Sequence, residues 1–148
     1  MKTVVEIKKL NENAVVPTYG TEFSAGADLY ALIESGSVTL APGETKMINT
    51  GLAFAIPEGL VGLVVARSSL GTKRGLAPAN KVGVIDSDYR GEVRVVLHNH
   101  SSEPQTIENG ERIAQMLFVP YYFAEFALVE ELSTTARGEG GFGSTGTK

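Results

Sequence analysis

Cysteine and tryptophan are absent from the 148 residues, and histidine occurs twice. Without thiols there are no disulfides, no thiolate nucleophile and no cysteine-ligated zinc, and nothing here depends on the redox state of a compartment. Two histidines do not make a three-histidine zinc site. Positive charge is scarce as well: 13 Lys+Arg against 17 Asp+Glu leave a formal net charge of −4, which is not the balance of a basic nucleic-acid binder. Long apolar runs are also missing. An uncharged one such as Gly59 to Ala66 falls far short of the roughly 20 residues of a spanning helix. Lys2, Glu6, Lys8 and Lys9 interrupt the N-terminus before any apolar stretch reaches signal-peptide length. The expectation is a cytoplasmic protein, or one in the host-cell interior if viral, with neither membrane nor nucleic acid as partner. Its chemistry must rest on carboxylates, hydroxyls, arginines and backbone amides, and any metal it uses is a hard cation such as magnesium.

What the chain does have is punctuation. Seventeen glycines and six prolines separate short segments rich in Val, Ile, Leu, Phe and Tyr, the pattern of many short strands in one domain. Strands are expected at Val4 to Lys8, Ala27 to Ile33, Lys46 to Asn49, Leu52 to Ile56, Leu60 to Ala66, Val82 to Ile85, Glu92 to His98, Arg112 to Val119 and Glu125 to Val129. Turn signals lie between them at Pro42-Gly43, Pro57-Glu58-Gly59, Arg90-Gly91 and Asn109-Gly110. The fold class that follows is an all-β sandwich or barrel. One segment breaks the rhythm: residues 67–75 offer a serine N-cap, basic residues in the last turn and a glycine stop, which predicts a single short helix. A core domain is expected over residues 1–132. The segment 133–148 reads as a flexible glycine-rich arm, since its last twelve residues hold five glycines and no aliphatic side chain.

Several groups invite a chemical reading beside a bland one. Arg67, Ser68 and Ser69 put a guanidinium and two hydroxyls at the predicted helix start, which suits phosphate oxygens or a merely capped surface helix. Arg137, the glycine run, Ser144 and Thr145 are similar, and the lone Phe142 is a flat ring suited to stacking on a base. Val82 to Val93 reads as a β-hairpin whose Asp86 and Asp88 stand two residues apart, so that one can serve as a general base or both can be solvated turn residues. Asp28 enters a strand, where Asp is uncommon. Gln115 is polar in an otherwise apolar strand. His98 and His100 share a strand face without a third ligand.

Taken in order, five of these segments resemble the five motifs of the trimeric dUTPase family. They are Ala25 to Tyr30, Ala66 to Leu70, Asn80 with Gly83 to Gly91, Gly110 to Gln115, and Arg137-Gly138 through Gly140 to Gly146. The resemblance spans residues 25–146. It implies a jelly-roll-like β-barrel with one short helix, assembled as a homotrimer with shared active sites, and the reaction of dUTP with water to give dUMP and pyrophosphate with the help of Mg2+. Asp86 corresponds to the carboxylate that orients and activates the attacking water, and Tyr89 to the ring that packs on the deoxyribose and leaves no room for a 2′-hydroxyl. Asn80, Gly83 and Val84 correspond to the uracil-reading edge. Arg67, Ser68, Ser69 and Gln115 match phosphate-binding positions. Arg137, Gly143, Ser144 and Thr145 match the segment that closes over the β- and γ-phosphates, and Phe142 the ring that stacks on uracil. Asp28 corresponds to a carboxylate assigned either to the water shell of magnesium, which the substrate phosphates mainly hold, or to orienting Arg67. Two departures stand out: many members have Pro-Arg-Ser-Gly where this chain has Ala66-Arg67-Ser68-Ser69, and a larger residue where Ala27 stands.

The chemistry agrees with the resemblance. A triphosphate carries about four negative charges that a chain of net charge −4 must neutralise locally, through arginines, backbone amides and the cation. A dCTP deaminase of the same superfamily would need a positioned glutamate where this chain presents Asp86-Ser87-Asp88-Tyr89. A non-enzymatic nucleotide-sensing trimer would tolerate loss of Asp86.

Overall fold

Alternation of large apolar side chains with polar ones makes each strand two-faced, and the fold follows from burying those faces against each other. The computed structural model describes residues 2–141. In chain order the elements are β1 (Glu6–Lys9), β2 (Thr18–Tyr19), β3 (Ala27–Tyr30), β4 (Ser37–Leu40), β5 (Thr45–Ala55), β6 (Leu60–Val65), α1 (Ser68–Arg74), β7 (Leu76–Pro78), β8 (Gly83–Ile85), β9 (Glu92–Asn99), β10 (Gln105–Glu108) and β11 (Arg112–Pro120). A four-stranded sheet, β1-β5-β9-β7, faces a five-stranded one, β2-β3-β11-β6-β8, and β10 pairs with β4 in a small third sheet. Every pairing is antiparallel. Consecutive strands repeatedly change sheets, which is the jelly-roll arrangement expected above.

The core between the sheets contains Leu29, Leu40, Leu52, Phe54, Leu76, Val93, Val95, Leu97, Ile107, Ile113 and Met116, all 2 % exposed or less. On β9 the buried residues fall at Val93, Val95 and Leu97, the period of two that Glu92 to Val95 predicted. Buried polar side chains are satisfied: the Thr50 hydroxyl donates to the Val93 carbonyl, and the Asn99 amide donates to the carbonyls of Leu40 and Glu103.

Several expectations need correction. The two strands predicted at 46–49 and 52–56 are one, β5, interrupted by a register shift against β9 between Asn49 and Ala53. Gly51 in that shift has φ +69°, which a side chain would strain. The segment 82–93 is not a hairpin. β8 pairs with β6 and β9 with β5 and β7, so residues 86–91 turn a corner between two sheets. A tight turn signals a reversal but not the partner, and partners here are chosen by distant strands. Glu125 to Val129 form no strand: the chain leaves β11 at Pro120, and Tyr122, Phe123, Phe126 and Leu128 are over 90 % exposed. Strands β2, β4, β7 and β10 were not foreseen, being two to four residues long.

Candidate functional site

Helix α1 is where the sheet hands the chain to the first cluster. Its seven residues end at Gly75, whose αL conformation (φ 65°, ψ 21°) closes the helix as the glycine stop predicted. The N-cap differs from expectation: it is Arg67, in extended conformation and with no side-chain cap hydrogen bond, so Ser68 is already helical. The two serines are therefore not consumed in capping. Ser68 and Ser69 are exposed, and Ser69 accepts only a 3.4 Å contact from Arg67 Nη1.

Beneath this helix start, the five-stranded sheet lines up Thr18, Asp28, Gln115 and Val65 as successive cross-strand partners. Ala27 and Leu29 face the core, so Asp28 and Gln115 point to the opposite face, toward the helix. Asp28 is only 2 % exposed. Both of its oxygens are engaged: Arg67 Nε donates to Oδ1 at 2.8 Å and Arg112 Nη1 to Oδ2 at 3.2 Å. A strand Asp is thus explained by two guanidinium partners that neutralise it. Gln115 lies flat on Gly26, where an added Cβ would stand 3.2 Å from the Gln115 Cβ and 3.4 Å from its Nε2. The small residue in Ala25-Gly26-Ala27 is what allows the amide to sit there.

A second cluster forms around β8 and the corner after it. Gly83 pairs with Val64, and a Cβ there would approach the Asn80 side-chain nitrogen at 3.4 Å, so Asn80 and the β8 backbone form one edge. Val84 is 61 % exposed on that edge. Asp86 follows the strand, exposed and outside every ion pair of the described residues. Tyr89 is tied to it, since its backbone N–H donates to the Asp86 carbonyl at 3.2 Å, while its phenol donates to the Glu92 carbonyl at 3.1 Å and its ring covers Gly91. Carboxylate and ring are therefore presented as one unit.

The two clusters are well apart. Ile85 stands opposite Gly62 on β6, and Arg67 is five residues further along the same chain. Asp86 and Arg67 are accordingly separated by about 20 Å at 3.3–3.4 Å per residue. Arg67 and Asp86 therefore lie at opposite ends of the β6 edge of the sheet. Arg137, from the third group, is exposed beyond the sheets and donates from Nε to the Gly140 carbonyl at 2.8 Å. Phe142, Gly143, Ser144 and Thr145 lie outside the described residues. Reading the sequence missed Arg112 as a site residue, although it stands in the quoted Gly110 to Gln115 segment. What reveals it is the register shift between Arg112 and Ala114, which lets its side chain reach Asp28.

Comparison with known proteins points one way. The dUTPase family model matches residues 12–146. Deoxyuridine 5′-triphosphate nucleotidohydrolases of Shewanella oneidensis and Shewanella sediminis are 45 % and 46 % identical over 153 aligned positions, covering the whole of this chain and of each relative. The solved structure of the Staphylococcus bacteriophage 80alpha dUTPase with dUpNHpp superposes with a TM-score of 0.89 at 32 % identity, over 99 % of this chain and 100 % of that one. The dUTPase from phage phi11 of S. aureus gives 0.79 at 27 % identity, over 90 % and 100 %.

Proposed function

The chain belongs to the dUTPase family, and from that membership together with its site we infer a dUTP diphosphatase that splits dUTP with water into dUMP and pyrophosphate. Asp86 accepts a hydrogen bond from the attacking water and takes its proton as the water oxygen bonds to the α-phosphorus. The bond from that phosphorus to the oxygen bridging to the β-phosphate breaks, and pyrophosphate leaves. Arg67, Ser68, Ser69, Gln115 and, from the C-terminal segment, Arg137, Ser144 and Thr145 bind the phosphate oxygens and offset the charge gathering on the leaving group. Asn80 and the Gly83-Val84 backbone read uracil, with Phe142 stacked on it and Gly143 letting the segment pass close. Tyr89, pinned at both its amide and its phenol, is the rigid wall that meets a 2′-hydroxyl.

Magnesium belongs to this proposal as a companion of the substrate. Among the described residues no three of His, Asp and Glu converge on a metal site, and the oxygens of Asp28 already accept from two arginines. This donor set fits an ion carried mainly by the phosphates, where it supplies Lewis-acid neutralisation of their charge. Asp28 we assign to orienting Arg67.

The separation of Asp86 from Arg67 supports a shared site, in which the phosphate helix comes from one subunit of a homotrimer and Asp86 from another. Residues 121–132 add to this, since an extended segment with Phe123, Phe126, Leu128 and Leu132 at 86 % exposure or more is not a surface that a lone chain leaves in water. Refolding a mixture of Asp86→Asn chains with chains lacking residues 137–148 tests it. If helix, base and arm come from three different subunits, about one site in three of a mixed cyclic trimer is intact, and pyrophosphate release from dUTP returns although each parent is nearly inactive. Demonstrably mixed, folded trimers with no recovery refute the shared site. Ammonia from dCTP would instead identify a deaminase, and binding without turnover a sensor.

A further inference from the structure

Helix α1 is too short to hold its own shape. Seven residues lie below the length at which an isolated helix persists, only Leu70 of it is buried, and its N-cap side chain makes no capping bond. Its pose is therefore set by what grips its ends. The leading end is held by Arg67 on Asp28. The trailing end is held by Arg74, which donates from Nε to Gln105 Oε1 at 3.2 Å, from Nη1 to Glu111 Oε1 and from Nη2 to the Thr106 carbonyl. The other Glu111 oxygen accepts the Glu108 backbone N–H at 3.1 Å, and the Glu111 carbonyl accepts the Ala31 N–H at 2.8 Å. Glu111 is thus fixed by the turn between β10 and β11 before Arg74 meets it. Its neighbour Arg112 holds Asp28, which holds Arg67. Two adjacent residues, Glu111 and Arg112, grip the two ends of one helix.

We propose that Arg74 and Glu111 are positioning residues of the dUTP diphosphatase, which set where Arg67, Ser68 and Ser69 stand over the phosphates. The proposal rests on the reading of α1 as the phosphate helix. Nε, Nη1 and Nη2 of Arg74 are all engaged, and its charge is matched by Glu111, so it acts on the helix rather than on substrate. Arginine suits the task because a planar fork serves three acceptors at once where an ammonium serves them poorly.

The test compares Arg74→Ala, Arg74→Lys and the near-isosteric Glu111→Gln in the full-length oligomer, with Arg67→Ala as reference. A helix displaced by about 1 Å is expected to cost on the order of 10- to 100-fold in kcat/KM for dUTP. Affinity for a non-hydrolysable dUTP analogue should weaken while affinity for deoxyuridine, read by the 80–89 segment, stays the same. Arg74→Lys should recover only part of the loss, and Arg74→Ala with Glu111→Gln should lose little more than the worse single variant, because both break one linkage. If Arg74→Ala does not fold, Glu111→Gln carries the comparison. Full activity in these variants while Arg67→Ala is inactive overturns the proposal and leaves the phosphate helix standing, as does equal weakening for nucleoside and triphosphate. An active Arg67→Ala overturns the phosphate helix itself.

Discussion

Asp28→Asn separates the two roles a carboxylate at this position can have. The substitution keeps shape and removes charge from a side chain that is 4 % exposed and contacts two guanidiniums, Arg67 at 18 % and Arg112 at 49 % side-chain exposure. Breaking a buried ion pair by removing one partner costs about 3–5 kcal/mol because the other charge is left buried. Here the asparagine oxygen still accepts from Arg67, which lowers the expected cost to about 2–3 kcal/mol. Arg112→Ala removes a half-exposed partner and should cost under about 1 kcal/mol. For a chain of this length these correspond to drops in Tm of roughly 5–10 °C and at most about 4 °C, measured at one fixed protein concentration because an oligomer melts in a concentration-dependent way. Function is read in the same samples by titrating magnesium at saturating and limiting dUTP. If Asp28 works by orienting Arg67, kcat/KM falls while the half-saturating magnesium concentration stays put. An unchanged Tm refutes the buried clamp, and a loss cured simply by more magnesium refutes the orienting role in favour of a place in the metal's water shell.

Asp86→Asn should lower kcat about 10²–10⁴-fold with analogue affinity largely kept, since a proton acceptor goes but almost no volume does; single-turnover rates near wild type would remove Asp86 as base. Tyr89→Ala should narrow the preference for dUTP over UTP by raising UTP turnover, and an unchanged ratio of the two kcat/KM values contradicts the steric wall. His100 is held below its usual pKa of 6.5, first by loss of solvent around the ring and then by the positive charge of His98 and Lys81. The folded chain therefore resists protonation more than the unfolded one does. This residue's contribution to stability is constant above pH 6.5 and declines as the pH falls from there through the lower folded value. His100→Asn should flatten that part of the stability profile, and an NMR titration placing His100 above its usual value would reverse the sign.

The β-rich class and the single helix were legible because they rest on local patterns. Val93, Val95 and Leu97 alternate into the core as their spacing required, and Gly75 ends α1 where a residue in αL conformation was called for. The residue types proposed for the site stand out in the sequence as well, since Arg67 with its serines and the aspartates of 86–88 suit phosphate and proton chemistry. Pairing was not. Residues 82–93 look like a hairpin in sequence, yet β8 and β9 part into different sheets because each finds a longer partner elsewhere, β6 in one case and β5 in the other. Four strands of two to four residues escaped notice, for so few side chains carry no periodicity to read.

What the amino-acid sequence determined by itself is thus the kind of chemistry and the faces that must be buried: a chain without cysteine and with two histidines works with carboxylates, arginines and hydroxyls, whatever its fold. What only the tertiary structure decided is which of these groups meet. Asp28, Arg67, Arg112 and Gln115 come from three segments of the chain that become neighbours through β3, β6 and β11 lying side by side. Arg74 and Glu111 gain a purpose only once the β10–β11 turn comes to rest against the end of α1. Asp86 is carried about 20 Å along β6 from Arg67. The reason is physical: hydrophobic patterning is a property of neighbours in sequence, whereas an ion pair between distant segments depends on strand register, which is set by the packing of the whole sheet.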